Sequence, residues 1–169
     1  MHSADPHGYV RCMNLLARHV RIHLTGAAAG IELFGRGKQL WDAEARATVA
    51  AIRGDLGEER RELVRIAEDL GSSDPVAFSV AVRVGERLGR LKPNGNLLHR
   101  TPLTDVADLE AMRDAVAGKI GGWEALLHAP QIDHHLVQRL LDQGQRQLDQ
   151  LSQLHSRASH RAFGTDAAT

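Results

Sequence analysis

Cysteine is almost absent from this chain, Cys12 standing alone among 169 residues. A single thiol rules out an internal disulfide and any thiolate-rich metal site. Aromatic side chains are scarce as well, two tryptophans, one tyrosine and three phenylalanines, so a core must be built from aliphatic residues. Neither sign of charge is in excess, because 21 Lys and Arg balance 21 Asp and Glu. No nucleic-acid footprint is expected, since phosphate binding needs basic side chains gathered on one surface. Long apolar runs are missing too: Leu24–Phe34 is about eleven residues, interrupted by Thr25 and Glu32, and falls short of a bilayer span. The opening MHSADPHGYV has no basic region followed by a hydrophobic core, as a secretory leader would, and a cytoplasmic, non-membrane protein is the expectation.

Helical periodicity is what the chain does have. From Tyr9 to Arg36, Leu16, Val20, Ala27, Ile31 and Phe34 recur at helical spacing, and the glycines at 35 and 37 end the run. Asp42 is placed to cap a second helix reaching Leu70. Its seam, Ala45, Val49, Ile52, Leu56, Glu59, Leu63, Ile66 and Leu70, advances in steps of four and three. Glu59 sits where that pattern wants a leucine. A fourth helix is expected from Thr104 to His128, with Leu109, Met112, Val116, Ile120, Trp123 and Leu127 on one face. Pro130 breaks it, and a fifth helix, 133–159, uses Leu136, Leu140, Leu141, Leu148, Leu151 and Leu154. The third segment, Pro75–Leu91, alternates as a strand would, yet Val76, Val80, Val84, Leu88 and Leu91 also form a helical stripe; a lone strand has no partner, so it reads as helix. The expectation is an all-α fold, a bundle of four long helices plus one shorter helical segment. One domain, 9–159, lies between a polar arm, 1–8, and a tail, 160–169.

Several stretches carry a resemblance. His23-Leu-Thr-Gly-Ala-Ala-Ala-Gly-Ile-Glu-Leu33, Glu58-Glu-Arg-Arg-Glu62, Gly89-Arg-Leu-Lys-Pro-Asn-Gly95 and Asp108-Leu-Glu-Ala-Met112 with Gly118-Lys119 resemble a family of bacterial proteins of like length and no established function. That resemblance covers residues 14–155 and implies a ferritin-like up-down helical bundle. Where the family pattern leads one to expect a glutamate just before Gly118, this chain has Ala117.

A ferritin-like dimetal centre needs an inward Glu from each of two helices and a Glu-x-x-His pair from each of the others. Glu59 meets the positional demand, but the residue three further on is Glu62, and no Glu-x-x-His pair exists. Glu110 falls at the edge of its helical stripe, Glu124 is followed by His128 one place too late, and Glu32 falls opposite its stripe, where pairing with Arg36 is the simpler role. His19 and His23, four apart on one helix, are spaced to clamp a metal if a neighbouring helix adds a carboxylate. The candidate metal ligands are thus Glu59, Glu62, Glu110 and His23, for iron, manganese or zinc. Against them stands a structural role for Glu59 as a buried ion pair with Arg113 or Arg87.

The glycines at 26 and 30, and at 85 and 89, stand one turn apart and suggest close helix packing or a dimer seam. No nucleophile and base group together, and no phosphate-binding loop follows a strand. The leading expectation is a non-enzymatic structural or protein-interaction module with an incomplete dimetal site, assembled as a homodimer. A metal-binding oxidoreductase or metal-storage protein is the alternative, and a small-molecule binder in a cavity between helices is the third.

Overall fold

The computed structural model describes residues 6–72 and 100–164. The segment expected as the third helix, 75–91, lies outside the described residues, as do Arg87 and the glycines at 85 and 89. The described chain is all helical: α1 (Pro6–Phe34), a 3-10 turn (Gly35–Gln39), α2 (Ala43–Asp69), α3 (Pro102–Leu126) and α4 (His134–Phe163). No described helix is long and apolar enough to cross a membrane.

Local chemistry sets the helix ends. Asp42 accepts from the Ala45 amide at 2.7 Å and starts α2. Gly71, with φ at 69°, closes it, and the Ser72 amide reaches back to the Ala67 carbonyl at 2.9 Å. Pro102 begins α3 two residues earlier than expected, because its fixed φ suits the first helical position while the Thr101 amide bonds Thr104 Oγ1 at 3.2 Å. Asp133 accepts from the His135 and Leu136 amides to start α4, which runs on to Phe163, beyond the expected end at Ser159. After Phe34, α1 tightens into the 3-10 turn, where Gly37 lies so close to Val49 that a Cβ would collide with it.

Cross-helix contacts give the directions. Lys119 meets Gln147, Glu110 meets His155 and Asp105 meets Arg161, so α3 and α4 are antiparallel. His19 beside Gly122 and Arg36 beside Asp108 make α1 antiparallel to α3, and Arg157 beside Glu44 sets α4 against α2. Around the bundle the order is α1, α2, α4, α3, and α2 runs in the same direction as α3. Ser72 and Arg100 therefore lie at opposite ends of the bundle.

The core is in two parts. Near the end where α1 finishes, Phe34, Leu40, Val49, Ile52, Leu56, Leu109, Met112, Val116, Leu151 and Leu154 pack together. Toward the other end, Val20, Leu63, Ile66, Trp123, Leu126, Val137 and Leu140 form a second cluster. Both are aliphatic apart from Phe34 and Trp123, as the composition requires. Between Leu56 and Leu63 on α2, between Val116 and Trp123 on α3, and between Leu140 and Leu151 on α4 sits one polar layer.

Candidate functional site

Three helices supply the polar layer. Glu59, on α2, is 2% exposed. Lys119, on α3, sends its ammonium to within 2.9 Å of Glu59 Oε1 and 2.8 Å of Oε2. Gln147, on α4, accepts from Lys119 through Oε1, and donates through Nε2 to Asp55 Oδ2 at 3.0 Å and to Glu59 Oε1 at 3.3 Å. Glu59 Oε2 lies close to the ammonium but off any hydrogen-bond direction, and has no hydrogen-bond partner among the described residues.

Burial governs how this layer titrates. It raises the Glu59 carboxyl above its usual range against the pull of Lys119, and lowers the Lys119 ammonium against the pull of Glu59. Desolvation disfavours each charge, and the mutual attraction only partly offsets it.

The remaining helix, α1, adds no polar group to this layer. Where α1 passes the layer it carries Gly26, Ala27, Ala29 and Gly30, too short to reach across. A cavity of about 700 Å³ results, bounded by α1, α2 and α3. Its wall is mostly apolar, with Val20, Leu33, Leu56, Leu63, Val116 and Leu126, but it includes Glu59, Lys119, His19, His23, Arg60 and Asp114. Trp123 also lines it, 2% exposed, its indole Nε1 without a hydrogen-bond partner among the described residues.

His19 and His23 lie next to each other along one side of the cavity, ring centroids 4.6 Å apart and planes tilted by 55°. His19 Nε2 lies 3.4 Å from the Gly122 carbonyl oxygen, and the His23 ring lies against Gly122, where a Cβ would collide with it. Burial, then the neighbouring His19, lowers the His23 pKa below 6.5. A neutral imidazole is thereby favoured beside the cavity at neutral pH.

The four expected metal ligands separate. Glu59 and His23 line the same cavity, but neither Glu62 nor Glu110 does. Glu62 pairs with Arg65 at 2.6 Å one turn along α2, and Glu110, exposed, meets His155 Nε2 at 3.2 Å. No three His, Cys, Asp or Glu side chains converge as a metal site among the described residues. At Glu59 a cation is already supplied, the Lys119 ammonium, so the donor set present does not fit a dimetal centre.

Other expectations resolve differently. Arg113 is not the partner of Glu59: it lies nearly two turns from Lys119 along α3, its Nε without a hydrogen-bond partner among the described residues. Arg36 turns to Asp108 at 3.4 Å and leaves Glu32 exposed. The glycines at 26 and 30 do not bring a helix close, since a Cβ at either would meet no atom within 4 Å among the described residues. Close approach occurs instead at Gly144, where a Cβ would come within 2.9 Å of Ile120. Sequence reasoning missed Lys119 and Gln147, although each falls on a seam of fours and threes, Leu109-Met112-Val116-Lys119-Trp123 on α3 and Leu140-Gly144-Gln147-Leu151-Leu154 on α4.

Compared with protein families, with curated proteins and with solved structures, the chain matches none.

Proposed function

We propose that this protein is a non-enzymatic binding module whose central cavity takes a small, largely apolar molecule. The observation that carries the reading is the cavity itself, about 700 Å³ in volume, with a mostly apolar wall that carries the paired charges of Glu59 and Lys119. Small-molecule sites have this composition, a wide apolar wall and a few fixed polar groups that orient the ligand. The glycines at 26 and 30 support the same reading, because nothing in the described packing requires them while larger side chains would fill the space.

In connectivity we read the bundle as ferritin-like, with α2 and α3 parallel, an arrangement in which sites are built between facing helices. The test uses a neutral apolar fluorophore, N-phenyl-1-naphthylamine, titrated into the wild type and into Gly30→Phe. The proposal expects a saturable site in the wild type, lost when the phenyl ring fills the cavity. Equal binding to both proteins would place the dye elsewhere and remove the support.

A further inference from the structure

One side chain of the polar layer is left unused by simple binding, Lys119. Of the 21 basic residues only three are lysines, Lys38, Lys92 and Lys119, and the other 18 are arginines. Among the described residues, every other pairing of a Lys or Arg with a carboxylate uses arginine, as at Arg100 with Asp105 and Arg157 with Glu44. Arginine suits a buried carboxylate better, because its rigid fork pairs both oxygens and its charge is permanent. Lysine at the most deeply placed pair gives up that advantage and supplies what arginine lacks, an amine that sheds its proton.

We infer that Lys119 captures an apolar aldehyde in the cavity as a Schiff base; this rests on the cavity being the binding site. Lys119 lines the cavity and keeps 14% of its side chain exposed, against 3% for Glu59, so the lysine is the member of the pair that an occupant meets. Glu59 lies 2.8 Å from its nitrogen, and Gln147 Oε1 accepts from the same nitrogen and fixes its place. Glu59 takes one ammonium proton, which frees the nitrogen lone pair to attack the carbonyl carbon. The C–N bond forms as the carbonyl π electrons move to oxygen. That oxygen then leaves as water with two of the three ammonium protons, one returned through Glu59, while the nitrogen lone pair closes the C=N bond. The third proton stays on the imine nitrogen, whose positive charge faces the ionised Glu59. No oxidant, reductant or further reactant is needed. Burial holds both Lys119 and Glu59 toward their neutral forms, the forms in which the exchange begins. The wall of Val20, Leu33, Leu63 and Leu126 receives the hydrocarbon tail.

Octanal with sodium cyanoborohydride, added to the full chain at neutral pH and followed by mass spectrometry of the intact protein and its peptides, tests this. Reduction fixes each Schiff base as an octyl group on its lysine. Lys119 should be alkylated at least about tenfold faster than the exposed Lys38, a small part of what proximity supplies to a well-placed pair. Saturating N-phenyl-1-naphthylamine should slow Lys119 alone. Lys119→Arg keeps the charge beside Glu59 and should lose the fast label. Alkylation of Lys119 no faster than that of Lys38, or a rate that the dye does not lower, would overturn the inference. Saturable dye binding in the same protein would then leave the cavity as a site, whereas no dye binding would remove both readings. If Lys119→Arg does not fold, the mapped rates in the wild type decide alone.

Discussion

At the residue scale, the Glu59–Lys119 pair is a cost that the surrounding core sustains. Both groups are pushed toward their neutral forms by burial. As pH rises above 4.5, an unfolded Glu59 releases its proton before the folded one does, and stability falls through that window. As pH drops below 10.5, an unfolded Lys119 gains a proton before the folded one does, and stability falls from that side as well. The pair therefore weighs most heavily near neutrality. Glu59→Leu alone strands a buried ammonium and should cost about 3–5 kcal/mol in urea unfolding, whereas Glu59→Leu with Lys119→Met should match or exceed the wild type. A double variant as unstable as the single one would contradict this account. His23 acts with the same sign as Lys119, at lower pH. Its pKa lies below 6.5, so as pH falls through 6.5 the unfolded chain takes up a proton that the folded chain resists, and stability declines until the folded ring also protonates. His23→Gln should flatten the loss in unfolding midpoint between about pH 7 and 5.5, measured against the wild type.

At the scale of the element, the legibility of each helix followed the rigour of its seam. On α2, steps of four and three named Ala45, Val49, Ile52, Leu56, Glu59, Leu63, Ile66 and Leu70; the first seven are buried, and Leu70, just past the last turn, is partly buried. On α4 the leucines alone pointed to a face that includes Leu136, Leu141 and Leu148, which are only partly buried; Val137, Gly144, Gln147 and Ala158 hold the centre instead. Glutamine reads as surface by composition, and only its place in the repeat marks Gln147 as buried. On α3 Ile120 stood in for Lys119 for the same reason. Glycine is ambiguous in sequence because close approach and open space leave the same residue. Here Gly122 abuts His23 while Gly30 faces the cavity. Gly122→Ala should lose about 1–3 kcal/mol from overpacking, and His23→Ala should relieve that loss in a double-mutant cycle. Gly30→Ala, with no atom to displace, should gain about 0.5–1 kcal/mol from helix propensity. Equal effects at the two positions would contradict the cavity geometry.

For the molecule as a whole, the all-α architecture was legible because long amphipathic stripes and capped ends repeat along the chain. Helix directions were not, since they depend on pairings such as Asp105 with Arg161 and Glu44 with Arg157, in residues far apart in sequence. The cavity was invisible for a related reason: it arises where three polar seams meet a fourth helix of small residues, and no one helix records that meeting. Trp123 offers the most direct test. The Trp123 side chain lines the cavity, while Trp41, the other tryptophan, lies at the far end with Arg161 5.1 Å from its ring. In a proton–nitrogen spectrum of the protein saturated with 1-octanol, the Trp123 indole signal should shift markedly and the Trp41 signal should stay in place. An unmoved Trp123 signal at saturation would contradict the assignment of the cavity as a binding site.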